Sequence, residues 1–188
     1  FLTSAKGQDL VLICVSTSGK VLWERKMGTG DEAVRGDEGN SASPSPATDG
    51  KHVWAMLSTG ELGCYDFDGN EVWNRDLDEN YGPFHIQFGM TSTPVLYEDR
   101  LLFQFIHGEM RGPREEAFVL ALDKLTGREL WRQDRFTGAE IENRHSYASP
   151  SLYRDGKTAL LITHGGDYVV AYDAVDGREV WRCGGLNR

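Results

Sequence analysis

Ala121-Leu122-Asp123-Lys124-Leu125-Thr126-Gly127-Arg128-Glu129-Leu130-Trp131 is the stretch that decides the fold, because it recurs. Fifty residues later the chain reads Ala171-Tyr172-Asp173-Ala174-Val175-Asp176-Gly177-Arg178-Glu179-Val180-Trp181. A shorter copy runs from Cys64 through Asp66 and Gly69 to Trp73. A degenerate one runs from Cys14 through Ser16 and Gly19 to Trp23. Glycine precedes tryptophan by four residues each time, and the tryptophans are spaced 50, 58 and 50 residues apart. A second mark keeps the same phase: Ser43-Pro44, Thr93-Pro94 and Ser149-Pro150 each precede an aspartate, at Asp49, Asp99 and Asp155. Two independent marks with one period identify a repeat architecture.

Each unit reads as four short strands rich in Val, Leu, Ile, Phe, Tyr and Trp. In the third unit they are expected near 94–98, 101–106, 117–123 and 128–133, with a tight glycine-bearing turn at Asp123–Gly127. No window holds a helical period. A four-stranded sheet of this size cannot bury both faces alone, so copies stack, and radial stacking gives a β-propeller. The fold class is therefore all-β, a β-propeller of antiparallel blades. About four blades are expected, near 1–27, 41–76, 91–134 and 147–183, forming one partial propeller over 1–188. The first unit lacks its innermost strand, so the chain reads as part of a seven- or eight-bladed ring. A compact four-bladed ring and a ring built from two chains are the alternatives.

The A-x-D-x-x-x-G-x-x-x-W pattern resembles the tryptophan-docking repeat of pyrroloquinoline quinone (PQQ)-like, or quinoprotein-type, β-propellers. The match is specific at 117–131 and 167–181 and weakens toward 12–23. The resemblance implies that Trp23, Trp73, Trp131 and Trp181 dock between neighbouring blades, beside the turns of Gly19, Gly69, Gly127 and Gly177. It implies turn roles for Asp66, Asp123 and Asp173, and small docking slots at Ala121, Ala171, Cys14 and Cys64. An indole suits such a seam, since it buries a large apolar area and has one N–H to satisfy.

Composition narrows the function. The 188 residues are 39% hydrophobic and 26% charged, with a net charge of −9, which argues against a binder of phosphate backbones. No apolar run is long enough to span a membrane as a helix. The three cysteines form no C-x-x-C pair and no adjacent pair. Catalytic quinoproteins of the alcohol-dehydrogenase type use vicinal cysteines beside the cofactor, so their absence weighs against that chemistry. No catalytic residue and no metal ligand set is assigned.

Polar residues gather in the connections 28–42, 77–91 and 135–147, where a rigid scaffold would present binding loops. Asn40, His85, Glu142, Asn143, Arg144 and His145 form the candidate ligand face. Solvated loops are the competing reading of the same residues. Tyr81, Phe84, Phe88 and Tyr147 are candidates for sugar contacts or for packing at the blade entrance. His107 and His164 read as turn residues, and 109–116 as a solvated insertion. The favoured function is a non-catalytic scaffold that binds a protein, peptide or ligand, similar to the propeller lipoprotein of the outer-membrane barrel assembly machinery. No cofactor is expected. A fragment of a PQQ- and calcium-dependent dehydrogenase is the alternative. The partner is a protein or peptide, with no nucleic acid, and self-association is a second way to cover an open ring. By resemblance the expected location is periplasmic or secreted, in a bacterium.

Overall fold

The computed structural model describes residues 1–30, 39–112 and 115–186. Every described strand lies in one of four antiparallel meanders. The first sheet holds β1 (Leu2–Lys6), β2 (Asp9–Val15) and β3 (Val21–Thr29). The second holds β4 (Ala47–Thr48), β5 (His52–Met56), β6 (Glu61–Asp66) and β7 (Glu71–Asp76). The third holds β8 (Val95–Tyr97), β9 (Arg100–Phe105), β10 (Phe118–Asp123) and β11 (Glu129–Asp134). The fourth holds β12 (Ser151–Asp155), β13 (Thr158–Gly165), β14 (Tyr168–Asp173) and β15 (Glu179–Cys183). Within each sheet the strands follow chain order, as blades of a propeller do. Among the described residues, helix is confined to α1 (Leu77–Tyr81) and a 3₁₀ turn, Ile141–Arg144.

Sequence explains the repeating register. In all four sheets the small residue opening the motif pairs with the tryptophan: Cys14 with Trp23, Cys64 with Trp73, Ala121 with Trp131, Ala171 with Trp181. Directly after that pair each ladder slips by one residue. The residue left over is the apolar one before the tryptophan in each repeat, namely Leu22, Val72, Leu130 and Val180. A bulge of this kind turns an extra residue out of the ladder. It accounts for four exposed hydrophobics that the alternation rule would have buried.

The chain's contacts divide it into two compact units, Phe1–Thr93 with Leu125–Gly127, and Pro94–Lys124 with Arg128–Arg188. The first unit packs Leu12, Val53, Ala55 and Tyr65 between its sheets, with Phe1, Trp23 and Met27 against them. A second patch joins Leu10, Ala42 and Leu57. In the second unit Leu102, Val119 and Ala121 meet Leu161, Val170 and Tyr172, and Trp131 covers their edge. The middle strands of each sheet carry this burial, while β7, β11 and β15 are largely exposed.

Serine and aspartate side chains close outer hairpins. Asp66 Oδ1 accepts from the N–H groups of Asp68 and Asn70, and Asp173 Oδ1 from that of Val175. These local bonds compete with extended structure and set the turn.

Candidate functional site: the loop cleft of the second unit

A cleft of about 430 Å³ opens in the second unit beside the 3₁₀ turn and the β13–β14 hairpin. Asn143, His145, Tyr147, His164 and Asp167 are among its lining residues. The hairpin is tightly bent: Gly166 and Asp167 have φ of 58° and 68°. Glycine takes that conformation freely, and aspartate is one of the few other residues that tolerate it.

Buried polar groups fix the walls. Arg135 has no exposed surface, yet no carboxylate is bonded to it among the described residues. Its Nη2 donates to the carbonyls of Gly165 and Tyr168 at 2.8 and 2.9 Å, and its Nε to Thr163 Oγ1 at 3.0 Å. Burial holds its pKa below the usual arginine range, with the nearby Tyr172 and Glu115 opposing that effect. Burial likewise pushes the Tyr172 phenol up to about 12. Gln104, also buried, donates from Nε2 to Ala148 O at 2.8 Å and accepts the His164 N–H at 3.3 Å. Ser146 Oγ donates to His164 O at 2.6 Å. These bonds tie the connection 146–148 to β9 and β13.

The insertion is not simply a solvated tip, which corrects the sequence expectation. Glu109, Met110 and Arg111 are exposed, but Glu115 is buried and folds back on the connection. Its carboxylate accepts the Thr137 N–H at 2.9 Å and the Ala139 N–H at 2.6 Å. Arg144 Nη1 donates to the carbonyls of Glu109 and Gly112 at 2.8 and 2.7 Å, and its Nε to Ala139 O at 3.0 Å. His145 Nε2 lies 2.9 Å from Gly108 O and therefore carries the proton, since a carbonyl only accepts. His107 is also corrected: it is 2% exposed, with Nδ1 at 3.7 Å from Glu116 and its ring edge-on to Phe118. It is a buried histidine, not a turn residue, and His164 lies within β13.

The six candidate ligand-face residues thus divide. Glu142, Asn143, Arg144 and His145 are adjacent in the second unit, and of these Asn143 and His145 line the cleft. Arg144 serves the insertion. Asn40 and His85 belong to the first unit. Asn40 Oδ1 closes a turn by accepting the Ala42 N–H at 2.9 Å. His85 stands near Asp78, whose carboxyl is pushed up to about 6 by burial and by Asp76 and Glu61, while His85 draws it down. Asp31, Glu32, Arg35, Asp37 and Glu38 lie outside the described residues. Tyr81, Phe84 and Phe88 are half-buried in the first unit, and Tyr147 is exposed at the cleft.

No three His, Cys, Asp or Glu side chains converge as metal ligands among the described residues. Cys14 and Cys64 are separate buried thiols, and burial raises that of Cys64 to about 12, so it is inert as a nucleophile.

The motif residues recur in one geometric relation. The Trp23 ring lies against Gly69 and its Nε1 donates to Phe67 O at 2.8 Å. Arg25 Nε adds a bond to Gly69 O at 2.6 Å. The Trp73 ring lies against Gly127, whose carbonyl accepts from Arg75 at 2.6 Å. The Trp131 ring lies against Gly177. Its Nε1 is buried without a partner among the described residues.

Sequence reasoning missed Arg135, Glu115 and Gln104. A signal for the first was present. Counting eight residues from Gly19, Gly69 and Gly127 reaches Met27, Leu77 and Arg135, so a cation stands where the first two repeats place an apolar side chain.

Comparison with known proteins follows this geometry. A family profile described as outer membrane protein assembly factor BamB matches residues 4–91 and 115–184. A curated BamB from Kangiella koreensis is 27% identical over 147 residues, 77% of this chain and 32% of that protein. The chain therefore spans about a third of the length of that relative. Among solved structures, a quinohemoprotein alcohol dehydrogenase from Comamonas testosteroni matches with TM-score 0.66 and 17% identity, over 94% of this chain and 32% of that one. BamB from Moraxella catarrhalis matches with TM-score 0.54 and 17% identity, over 97% and 47%. The two structures share the fold. In the described residues no helix is long and apolar enough to cross a membrane. With most of its repeats matched by that profile, the chain belongs to the PQQ-like β-propeller family described as outer membrane protein assembly factor BamB.

Proposed function

We propose that the chain is a non-catalytic propeller scaffold that holds a protein or peptide segment in the loop cleft of its second unit. The family match supports assembly of outer-membrane proteins as the setting, and hence a periplasmic location. The observation that carries the binding role is the cleft itself. Its walls are fixed by buried Arg135, Gln104 and Glu115, while Tyr147, Asn143 and Asp167 remain on its lining. A pre-formed rim loses little entropy on binding. Trp23, Trp73 and Trp131 have a structural role in this reading: each docks on the turn of the next repeat and keeps the loops in place.

The test uses a synthetic peptide carrying one membrane strand of an outer-membrane β-barrel protein, an extended segment with alternating apolar residues. Amide shifts should move at 143–148 and 164–167, and Tyr147→Ser should weaken binding several-fold. No shifts, or shifts confined to other loops, would reject the assignment. PQQ with calcium, titrated in parallel, should give no saturable heat, and a saturable calcium-dependent signal would favour the dehydrogenase reading.

A further inference from the structure

We propose that a cleft in the first unit, between β3 and the β6–β7 pair, binds the guanidinium of an arginine side chain presented by a partner protein. This cleft is separate from that of the second unit, and neither site needs the other.

The second unit shows how such a group is held at the corresponding position. Arg135 stands four residues after Trp131. It donates to the carbonyls of Gly165 and Tyr168 and to Thr163 Oγ1. Burial lowers its pKa while Tyr172, Glu115 and Glu179 raise it, so these three groups lie within electrostatic reach of the cation. Tyr172, next to Ala171, pairs with Glu179 across the ladder.

The first unit repeats this frame without the cation. Tyr65, next to Cys64, pairs with Glu71 as Tyr172 pairs with Glu179. Four residues after Trp23 stands Met27, which carries no charge. Two further changes open the space and charge it. Two residues before the tyrosine, Gly63 stands in place of Val170. Four residues before it, Glu61 stands in place of Tyr168, and the ladder partner of Glu61 is Asp76. The result is a cleft of about 210 Å³ whose lining includes Met27, Glu61, Gly63, Tyr65, Glu71 and Asp76.

Its chemistry suits a forked cation. Tyr65 is 4% exposed, and no described group bonds its phenol oxygen. A Cβ on Gly63 would lie 2.9 Å from that oxygen, so the phenol sits over the glycine on the cleft lining. Burial and Glu71 push it up to about 12, with Arg25 opposing, so it is neutral at ordinary pH and its oxygen accepts. Glu61 reaches across to β3, where a Cβ on Gly28 would come 2.5 Å from its Oε1, and Thr59 binds its Oε2. Glu71 Oε1 accepts from Asn74 Nδ2 at 2.6 Å. The two cations on the lining are engaged elsewhere: Lys26 with Asp9 at 2.5 Å, and Arg75 with Asn80 and the Gly127 carbonyl. Among the described residues no three acidic side chains converge as metal ligands. Spread acceptors of this kind match the planar, five-donor fork of arginine better than a point charge. The net charge of −9 draws a cationic segment toward the chain.

Amide-shift titration with the blocked peptide acetyl-Gly-Arg-Gly-amide reads the site. Saturable shifts should centre on 26–28, 61–65 and 71–76. The citrulline peptide keeps the shape without the charge and should give none, and the lysine peptide should bind several-fold more weakly. Free arginine carries a carboxylate that the acidic lining repels, so it should also bind more weakly than the blocked peptide. Met27→Arg should fill the cleft from within, as Arg135 does in the second unit, and abolish the titration. Glu71→Gln, on an exposed side chain, should leave the rest of the spectrum unchanged and weaken binding several-fold, which keeps the test valid if Met27→Arg fails to fold. No shifts in those strands, a citrulline peptide that binds equally, or a folded variant that binds like wild type would each overturn the proposal. Tighter binding of free arginine than of the blocked peptide would overturn the assignment to a protein side chain.

Discussion

Gly177→Ala and Gly19→Ala make a matched pair. Both glycines sit in outer-hairpin turns at positive φ, 75° and 83°. Alanine there costs ~1–2 kcal/mol in backbone strain at either site. What differs is the space. At Gly19 the new methyl meets nothing within 4 Å, whereas at Gly177 it falls 2.5 Å from the Trp131 ring. Ordinary carbon contacts are near 3.5–4 Å, so roughly 1 Å of displacement is demanded of an indole wedged between two sheets. Overpacking of that kind costs about 1–3 kcal/mol. The Trp131 N–H has no partner among the described residues, so no hydrogen-bond cost is added. Gly177→Ala should therefore destabilise by about 2–5 kcal/mol and Gly19→Ala by about 1–2 kcal/mol. Urea unfolding followed by circular dichroism, under conditions where the chain is monomeric, measures both. Equal losses at the two sites would refute the reasoning, because the indole would then exert no pressure on the turn.

Arg135→Met restores the apolar residue found at Met27 but leaves the carbonyls of Gly165 and Tyr168 without their donor. A loss of about 2–3 kcal/mol is expected, together with faster amide exchange at 165–168, and a neutral or stabilising effect would show that the cation does not hold the hairpin. Asp78 adds a pH dependence of definite sign. Its folded pKa, raised from 3.8 to about 6, means that the folded chain keeps a proton the unfolded chain has lost. The group's contribution therefore favours the folded state increasingly as pH falls from about 6 to 4, and weakens it above. Partial exposure reduces this below the ~1.4 kcal/mol per pK unit of a shielded group. Glu179, held low by Arg182, acts in the opposite direction, so the comparison is wild type minus Asp78→Asn. The difference should grow toward low pH, and a flat difference would contradict the assignment.

Strand placement was open to reading because it is written locally. The third unit's strands, expected near 94–98, 101–106, 117–123 and 128–133, form at 95–97, 100–105, 118–123 and 129–134. Alternating apolar residues and an Asp-to-Gly turn suffice for that. Helix α1 was not foreseen, since five residues carry no period. It starts because Asp76 accepts the N–H groups of Asp78 and Glu79. The site was less legible. Arg144 and His145 looked like free loop polar groups, yet they bind the carbonyls of an insertion some 35 residues away in sequence. Glu115 sits in a charged run that reads as solvent-facing, and only the folded chain supplies the N–H groups that bury it. Such partners arise from tertiary placement, which no local pattern encodes.

In the proposed scaffold, tryptophan packing on the next repeat's glycine builds the frame that carries the cleft. The Hα shifts of four glycines test it directly, because a proton over an indole face is shifted strongly upfield. Gly69, Gly127 and Gly177 should show that shift, each lost on replacing Trp23, Trp73 or Trp131 respectively by alanine, while Gly19 in the monomeric chain resonates normally. Ordinary shifts at all four glycines, or shifts that survive those replacements, would contradict the account.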